Sequence, residues 1–432
     1  MNLMSWGMYP KIDNEAFPFT EKKALRNHLK EVDECIAYGN GRSYGDSALN
    51  RHLVTTRPHH CFLNFDEQRG ILHVECGVLL REILDVIVPR GWFLKVTPGT
   101  KLITIGGAIA SDVHGKNHHI EGCFSESVLE FTLMLPSGKI ITCSHTKNKK
   151  YFYATCGGMG LTGIILDAKI VLKKIASTTI EQTIVKTANL QETFEAFEHH
   201  HEAAYSVAWI DCLAQGKHLG RSLLMCGDFS TTGSTHYQPK KHLNIPFTLP
   251  SFLLNPWSVK AFNRLYYNRV SQRISTQEVD MESFFYPLDA IENWNRIYGK
   301  AGFTQYQFVL PKDQSYDGLH AILHTIAAST KGSFLAVLKL YAKANKNYLS
   351  FPMEGYSLAL DFKIEPGLFE LLDTLDALVL KYGGRIYLSK DVRVSKAVFE
   401  QGYEQIERFR ALRKEQKMNT KFNSLQSKRL EL

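Results

Sequence analysis

The sequence has no hydrophobic run of about 18 residues and no closely spaced cysteines, and each absence excludes a class of protein. Without such a run, no transmembrane helix is expected. The first residues, Met1–Asn14, are mixed and polar where a secretory signal peptide needs an apolar core. None of the eight cysteines has CxxC spacing, so neither a zinc site nor a thioredoxin-like motif is expected. We therefore expect reduced thiols in a cytoplasmic protein, and a peripheral contact with the inner membrane stays open.

Clustered metal ligands are also scarce. The run His199-His200-His201-Glu202 is the densest group, but consecutive positions on a helix point in different directions, so one ion cannot take all four. His59-His60 and His118-His119 have no carboxylates at metal-site spacing. No metal site is predicted.

Charge is only slightly unbalanced. The 432 residues include 51 Lys or Arg and 43 Asp or Glu, which gives a net charge of +8 and favours anionic ligands or surfaces without indicating nucleic acid. Half of this excess lies in residues 403–432, which have eight Lys or Arg and four Asp or Glu and a helical pattern. This segment is either a solvated helix face or a contact with anionic lipid or phosphate. Hydrophobic residues make up 44%, as in ordinary globular proteins.

The first part of the chain is rich in glycine. Seventeen of the 30 glycines precede residue 176, and short apolar runs alternate with them. Two stretches have helical patterns, Leu79–Val88 and Thr104–Ser111. The apolar runs predict strands at Cys35–Tyr38, Cys61–Phe65, Ile71–Cys76, Phe131–Leu135, Lys139–Cys143 and Ile164–Leu172. These elements predict a mixed α+β domain.

The pattern changes at about Lys174. Longer alternating segments, such as Thr179–Lys186 and Phe303–Leu310, are separated by helical patterns such as Tyr316–Ala328. This arrangement is typical of an antiparallel sheet backed by helices, and it predicts a second domain. Residues 239–277 have few clear periodicities and combine prolines, aromatic residues and arginines. Such a segment is typical of a lid, a binding loop or a disordered insert.

Three glycine clusters carry most of the chemical information. The first, residues 39–47 (GNGRSYGDS), follows a predicted strand, and its amides together with Arg42 could bind an anion. It is a poor Rossmann motif because its spacing is GxGxxxG and no helix follows. In the second, Gly106-Gly107 would present free amides at a helix start, and in the third, residues 155–165, glycines would bring backbone beside a ring or phosphate. Together they favour an extended dinucleotide ligand.

The same stretches resemble a known family. They include GRSYGDSALN (41–50), TPGTKLITIGGAIASDVHGKNHH (97–119), ATCGGMGLTGII (154–165), AWIDC (208–212), SFPMEGYSLALDF (350–362) and GGRIYLSKDVR (383–393). In this order they resemble the flavoprotein oxidases of the vanillyl-alcohol-oxidase superfamily, which share the PCMH-type FAD-binding domain. The resemblance is greatest to the branch that oxidises the 2′-hydroxyl of a polyprenyl-phosphate-linked ribose.

The resemblance implies an α+β, two-domain flavoprotein. Its FAD-binding domain would be residues 1–176, its substrate domain 177–380 with a flexible insert near 239–277, and residues 381–432 would return to the FAD domain. Tyr44 stands where many relatives have a histidine bonded to flavin, so non-covalent FAD is expected. The implied FAD contacts are Gly39, Asn40, Gly41, Arg42, Ser43, Tyr44, Gly45, Asp46, Ser47, Gly99, Thr104, Ile105, Gly106, Gly107, Ser111, Asp112, Val113, His114, Ile164 and Tyr387.

The resemblance also implies the reaction, oxidation of the pentose 2′-hydroxyl to a ketone as the first half of a 2-epimerisation in cell-envelope arabinose supply. An NAD(P)H-dependent short-chain reductase would complete it. Lys390 and His114 are the implied catalytic residues, and whether Lys390 is a base or an electrostatic stabiliser stays open. The implied substrate contacts are Trp209, Tyr306, Gln307, Lys339 and Ala359. Ala359 stands where mycobacterial members have a cysteine that covalent inhibitors attack.

Two other readings stay open. An oxidase of soluble alditols or aldonolactones that uses oxygen would share the FAD domain, and a polar pocket without an apolar entrance would favour it. A protein that keeps the FAD fold only as a scaffold is the second alternative. The presence of Lys390, His114 and Tyr44 argues against the scaffold.

Overall fold

The structure, a computed structural model, describes residues 2–237 and 243–432. Helices and sheets alternate in it, as predicted for an α+β protein. The strands are β1 Glu15–Pro18, β2 Ile36–Tyr38, β3 His52–Thr55, β4 Phe62–Asp66, β5 Ile71–Glu75, β6 Trp92–Leu94, β7 Val128–Met134, β8 Ile140–Ser144, β9 Ile164–Lys174, β10 Thr179–Thr187, β11 Tyr205–Ile210, β12 Ser222–Phe229, β13 Leu243–Asn244, β14 Ile274–Asp280, β15 Ile291–Glu292, β16 Phe303–Pro311, β17 Ala336–Tyr341, β18 Gly355–Lys363 and β19 Arg385–Ile386.

The helices lie between these strands and after the last of them. They are α1 Lys22–Glu31, α2 Leu80–Ile87, α3 Ile105–Ala110, α4 His118–Glu121, α5 Lys149–Thr155, α6 Leu190–His199, α7 Pro256–Asn268, α8 Met281–Phe285, α9 Ser315–Ser329, α10 Leu368–Lys381, α11 Lys396–Gly402, α12 Ile406–Glu415 and α13 Leu425–Leu430. No helix in the described ranges is both long and apolar enough to cross a bilayer.

The N-terminal part has two small sheets. Strands β1, β3 and β2 form a parallel sheet in that order, and β4-β5-β9-β7-β8 form an antiparallel sheet in which β6 also pairs with β9. Their strands bury aliphatic residues such as Leu72, Val74 and Ile170. The predicted strands in this region therefore form, with ends shifted by no more than three residues.

A large antiparallel sheet forms the second part. Its order is β14-β10-β12-β11-β17-β18-β16-β19, and helices cover one of its faces. Helix α9 packs there because Leu319, Ile322, Leu323 and Ile326 recur at helical spacing and are all fully buried. Because successive residues of a strand point to opposite faces, the other face of the sheet is left for the cavity described below.

Part of the insert, residues 239–277, is regular, although its sequence has few clear periodicities. Residues 239–242 lie outside the described residues, but the rest contains α7 and most of β14. Helix α7 begins because the Asn255 side chain accepts hydrogen bonds from the amides of Trp257 (2.9 Å) and Ser258 (3.0 Å), and Pro256 occupies the first helical position.

The C-terminal segment packs against the start of the chain. The amide of Cys35 donates to the Lys421 carbonyl (2.8 Å), and Arg429 forms ion pairs with Asp46 (2.8 Å) and Asp391 (3.0 Å). The Arg429 contacts bring the last helix against the loop of the first glycine cluster.

All eight cysteines are free, and Cys61 is exposed.

Candidate active site

One large cavity, of about 780 Å³, lies between the glycine loops and the open face of the eight-stranded sheet. A volume of this size suits a large organic ligand. The first glycine cluster and residues 97–116 form one wall, and strands β10–β12 and β16–β18 form the opposite wall. Helix α7 and residues 387–390 also contribute to it.

The loop after β2 presents unpaired amides to this cavity. The amides of Asn40, Gly41, Arg42 and Ser43 have no hydrogen-bond acceptor among the residues that the structure describes, and all four residues line the cavity. Gly41 has a φ of +62°, and a Cβ there would clash with the Tyr38 hydroxyl. Only glycine fits this turn, because a side chain would be strained and would clash.

Arg42 adds a positive charge to the same loop. Its guanidinium lies 4.0 Å from the centre of the Trp6 ring, and its Nε is buried with no hydrogen-bond partner within the described ranges. A buried, unpartnered donor is unfavourable unless a ligand completes it. The free amides and Arg42 together therefore form a site for an anionic group such as a phosphate.

The second glycine cluster differs from the prediction. Its amides are already paired, since Gly106 donates to the Cys76 carbonyl (2.9 Å) and Gly107 donates to Thr104 Oγ1 (3.1 Å). The expectation of free amides at this helix start was therefore wrong. The glycines serve close packing instead, because a Cβ on Gly106 would lie 3.2 Å from Cys76 and one on Gly107 would lie 3.1 Å from Thr104 Oγ1.

The sheet contributes alternate side chains to the cavity. Gln307, Lys339, Ala359 and Trp209 lie on its open face, in the register Gln307–Ala359–Val337–Trp209 across four strands. Tyr306 points to the opposite face, where its hydroxyl donates to Asp376 (2.9 Å) beneath the helices. Tyr306 therefore does not line the cavity, because it is one residue out of phase with Gln307.

Lys390 lies where the two walls meet. The Tyr387 amide donates to the Gln307 carbonyl (2.9 Å) and the Tyr44 amide donates to the Ser389 carbonyl (3.1 Å), so this turn is fixed to both sides. Lys390 Nζ lies 3.7 Å from the centre of the Tyr44 ring. Burial, opposed by Asp361 and reinforced by the charge of Lys339, lowers the pKa of Lys390 to about 7. A neutral amine is therefore available near neutral pH.

His114 is held beside the sheet. Its Nε2 lies 3.1 Å from Gln307 Nε2, which can only donate, so the imidazole accepts there and carries its proton on Nδ1. Nδ1 has no hydrogen-bond partner among the described residues. Burial lowers the pKa of His114 well below its usual value, and nearby lysines reinforce the shift. The residue is therefore a neutral imidazole on the cavity wall.

Two further lysines face the cavity. Burial lowers the pKa of Lys339 to about 8 and that of Lys116 to about 7, and the positive charge of Lys339 contributes to the shift of Lys116. Lys116 donates to the Phe284 carbonyl, and neither lysine forms an ion pair in the part of the chain that the structure describes. Near neutral pH Lys339 is therefore mostly charged and Lys116 about half charged, and without counter-charges the two amines form a second site for an anion.

Most of the predicted contacts line this one cavity. Asp46 is instead paired with Arg429, and Asp112 is buried, where it accepts hydrogen bonds from Asn347 (2.7 Å) and Ser350 (2.7 Å). Asp112 therefore fixes the segment after β17 against the second glycine cluster. The predicted residues that do not line the cavity are Gly45, Asp46, Ile105, Asp112, Ile164 and Tyr306.

Sequence reasoning missed Lys116 and one face of α7. Phe262, Tyr266 and Arg269 line the cavity beside Trp209, whose ring lies 4.7 Å from that of Tyr266. The signal for α7 was present, because Asn255-Pro256 is a typical helix start. Lys116 had no such signal, because its burial depends on α8 and β17, which are distant in sequence.

The residues present fit FAD. Its pyrophosphate needs donors without internal partners, and the amides of residues 40–43 with Arg42 supply them. Gly39, Gly41 and Gly107 line the cavity, so their backbone forms part of its wall. The fit rests on the unpaired donors, which the fold leaves facing the cavity.

The comparisons agree with this fit. Residues 22–144 match the family model described as FAD binding domain. Decaprenylphosphoryl-β-D-ribose oxidase from Mycolicibacterium smegmatis is 34% identical over 100% of this chain and 97% of its own length.

Two other relatives are more distant. An uncharacterized protein from Streptomyces coelicolor is 26% identical over 82% of this chain and 100% of its own. L-gulonolactone oxidase from Scyliorhinus torazame is 28% identical over 31% of this chain and 30% of its own. Similarity to the lactone oxidase is therefore limited to part of the chain, whereas similarity to the ribose oxidase extends over all of it.

Proposed function

The chain belongs to the FAD-binding family of decaprenylphosphoryl-β-D-ribose oxidase, and on that premise we propose that it oxidises the 2′-hydroxyl of a polyprenyl-phosphate-linked pentose to a ketone. Bound FAD supplies the acceptor for the hydride that leaves the sugar carbon. The residues of the chain bind the sugar, accept the hydroxyl proton and exclude water. The keto sugar would be the intermediate of a 2-epimerisation, which a separate NAD(P)H-dependent reductase would complete.

The observation that carries this proposal is the environment of Lys390. Its amine lies on the cavity wall beside Tyr44, and burial lowers its pKa to about 7. As a neutral amine, Lys390 accepts the proton of the sugar hydroxyl while the C–H electron pair leaves as hydride, so a ketone and an ammonium form. Asp361 opposes the lowering of this pKa and so favours the ammonium product.

His114 and Gln307 support a role in holding the sugar. Gln307 donates to Nε2 of the neutral imidazole at 3.1 Å, so the tautomer and the orientation of the His114 ring on the cavity wall are fixed. We assign His114 to orientation of the substrate rather than to proton transfer, because burial keeps its pKa far below neutral.

The rest of the cavity supports a lipid-linked substrate. Lys339 and Lys116 provide uncompensated positive charge for the phosphate. Phe262, Tyr266, Phe334 and Trp209 provide apolar surface for a polyprenyl chain. A soluble alditol or aldonolactone would need neither feature, so the ribose-lipid substrate is favoured over that alternative.

The test is anaerobic reduction of the purified, flavin-containing protein. A polyprenyl-phospho-ribose should bleach the visible flavin absorbance, and soluble alditols or aldonolactones should not. Bleaching by the soluble compounds alone would establish the alternative substrate class. Acid precipitation should release the flavin into the supernatant if it is held non-covalently.

Variants of Lys390 test its role in the same assay. Lys390→Ala should abolish bleaching and leave the flavin bound, with at least a hundredfold loss of rate, because the base is removed. Lys381→Ala, an exposed lysine on α10, is the matched control and should behave as the unmodified protein. Bleaching at the normal rate in Lys390→Ala would refute the assignment.

Two partners complete the proposal. The lipid-linked substrate requires access to a membrane, so we propose a peripheral contact. The keto product requires a reductant, so we propose an NAD(P)H-dependent short-chain reductase as the second enzyme. Co-purification of a reductase, or conversion of the keto sugar only when both proteins are present, would test the second partner.

A further inference from the structure

Helix α7 has an outer face that the fold does not use. Trp257 and Leu265 are 82% and 74% exposed, and Ala261 lies between them at helical spacing. Exposed aromatic and aliphatic side chains in a row are unfavourable in water. Phe252, in the turn that leads into the helix, is also exposed (71%).

The inner face of the same helix already fixes its position. Asn263 is fully buried and donates to Asp211 (2.8 Å), and Phe262 packs edge-to-face on Phe334 with ring centres 5.5 Å apart. Tyr266 packs on Trp209 at the cavity. The outer residues are therefore not required to hold the helix in place.

Positive charge accompanies the outer apolar residues. Lys260 and Arg264 are exposed one position before Ala261 and Leu265, and neither forms an ion pair among the described residues. Residues 229–277 contain six Lys or Arg and no Asp or Glu. An apolar row flanked by uncompensated cations is the pattern of helices that lie in the interface of an anionic membrane.

We propose that the outer face of α7, formed by Trp257, Lys260, Ala261, Arg264 and Leu265, docks on a bilayer containing anionic phospholipid. This inference rests on the proposed function, because a polyprenyl-linked substrate resides in a bilayer. Residues of the opposite face of α7 line the cavity, so the bilayer surface and the cavity are separated by about one helix diameter, roughly 10 Å. On this proposal the lipid passes from the bilayer to the cavity beside α7.

Vesicle co-sedimentation of the purified, flavin-containing protein tests the proposal without any sugar substrate. The protein should bind vesicles of equimolar phosphatidylcholine and phosphatidylglycerol at low salt, and bind vesicles of phosphatidylcholine alone at least tenfold more weakly. Trp257→Ser with Leu265→Ser should weaken binding to the mixed vesicles by roughly a hundredfold, because two apolar side chains lose their burial. Lys260→Gln with Arg264→Gln should weaken it by roughly tenfold, and high salt should remove that difference.

A matched control separates this face from exposed apolar residues in general. Leu63→Ser with Ile120→Ser changes two exposed aliphatic residues in the N-terminal part and should leave vesicle binding unchanged. All variants should keep the flavin and should bleach normally with detergent-dispersed substrate. If the α7 variants keep full vesicle binding, or the protein binds both kinds of vesicle equally, the proposal is overturned.

Other outcomes distinguish the possible occupants of the face. If Trp257→Ser with Leu265→Ser converts a dimer to a monomer in sedimentation velocity, the face contacts a second copy of the chain and the proposal is overturned. If α7-dependent vesicle binding is found but no polyprenyl-phospho-sugar bleaches the flavin, the docking surface stands and the proposed function fails. If a polyprenyl-phospho-sugar bleaches the flavin but vesicle binding does not depend on α7, the proposed function stands and the docking surface is rejected.

Discussion

Two basic segments of this protein differ in whether their cations are buried and paired or exposed and unpaired. The C-terminal residues 403–432 and the acid-free residues 243–277 both contribute positive charge. In the C-terminal segment, Arg413 is fully buried and Arg429 is shared between Asp46 and Asp391. On α7, Lys260 and Arg264 face solvent without ion pairs in the described ranges. Net charge therefore does not tell whether cations hold the fold or remain available to a partner.

The comparison extends to the interior. Lys339 and Lys116 line the cavity and, like the α7 cations, form no ion pair with a carboxylate of the described residues. Arg429, in contrast, lies between two carboxylates whose side chains are almost completely buried. We therefore expect removal of the paired cation to destabilise the fold, and removal of the unpaired cations to affect mainly ligands or partners.

Loss of Arg429 should have the largest effect. Arg429→Met leaves Asp46 and Asp391 buried without their partner, so the free energy of unfolding should fall by about 3–5 kcal/mol. Flavin should also dissociate more readily, because Asp46 belongs to the loop of the first glycine cluster. Urea denaturation and the absorbance ratio of flavin to protein would measure both.

The pH dependence of this variant checks the cause. Burial raises the pKa of Asp46 to about 6 even with Arg429 present, and the loss of Arg429 should raise the pKa of Asp46 further. The folded state then binds a proton that the unfolded state does not, so the deficit should shrink as pH falls towards 5. Lys414→Met, at an exposed position of the same segment, is the control and should change stability by less than about 0.5 kcal/mol. An equal loss in both variants would contradict the comparison.

Removal of Lys339 should have a smaller effect of opposite sign. Lys339→Met eliminates a buried ammonium, so the free energy of unfolding near neutral pH should rise by about 1–3 kcal/mol. The Michaelis constant for a polyprenyl-phosphate sugar should rise about tenfold or more, because a charge-assisted contact to phosphate is lost. Denaturation and steady-state kinetics on the same preparation would show the two effects together.

A pH series shows whether the gain in stability of Lys339→Met comes from removal of a buried ammonium or from better packing of the methionine. The pKa of Lys339 is about 8 in the folded protein, below its ordinary value of 10.5. Between these values the unfolded state binds more protons, so the stability of the unmodified protein should rise with pH above 8, and Lys339→Met should lack that part of the rise. Lys343→Met, at an exposed lysine just beyond β17, is the control. Destabilisation of Lys339→Met at every pH would show that this lysine supports the fold.

The smallest change in stability is expected on α7. Lys260→Gln with Arg264→Gln should alter the free energy of unfolding by less than about 0.5 kcal/mol, because both side chains are exposed and unpaired. The same variant should bind the mixed vesicles roughly tenfold more weakly at low salt, as described above. A destabilisation as large as that of Arg429→Met would mean that these cations hold the helix, and would remove the distinction between the two segments.

Local pattern predicted much of the fold. Strands such as Ile71–Glu75 and β10 form where apolar alternation predicted them, and Leu319 to Ile326 on α9 follow helical spacing. These elements are set by side-chain periodicity over a few residues. Periodicity did not predict α7 in the insert. This helix has one buried surface, one surface that lines the cavity and one surface in solvent, so its sequence shows no single apolar stripe.

The candidate site was predictable in part. The turn at Gly41 requires glycine for local reasons, so the anion-binding loop could be predicted from its own residues. The resemblance supplied Lys390 and Gln307, but it did not reveal that Tyr306 faces the helices or that the Gly106 and Gly107 amides are already paired. Those facts depend on strand register and on acceptors contributed by distant segments.

The sequence by itself determined the types of element, the glycine turns and the family. The tertiary structure decided which cations are neutralised, because an ion pair needs a carboxylate within a few ångströms in a poorly hydrated site, and distant segments supply it. Arg429 forms ion pairs with Asp46 and Asp391 in this way, whereas Lys339 lines the cavity and Lys260 is exposed to solvent. Electrostatic energy depends on distance and burial in three dimensions, and neither quantity is encoded in the local order of residues.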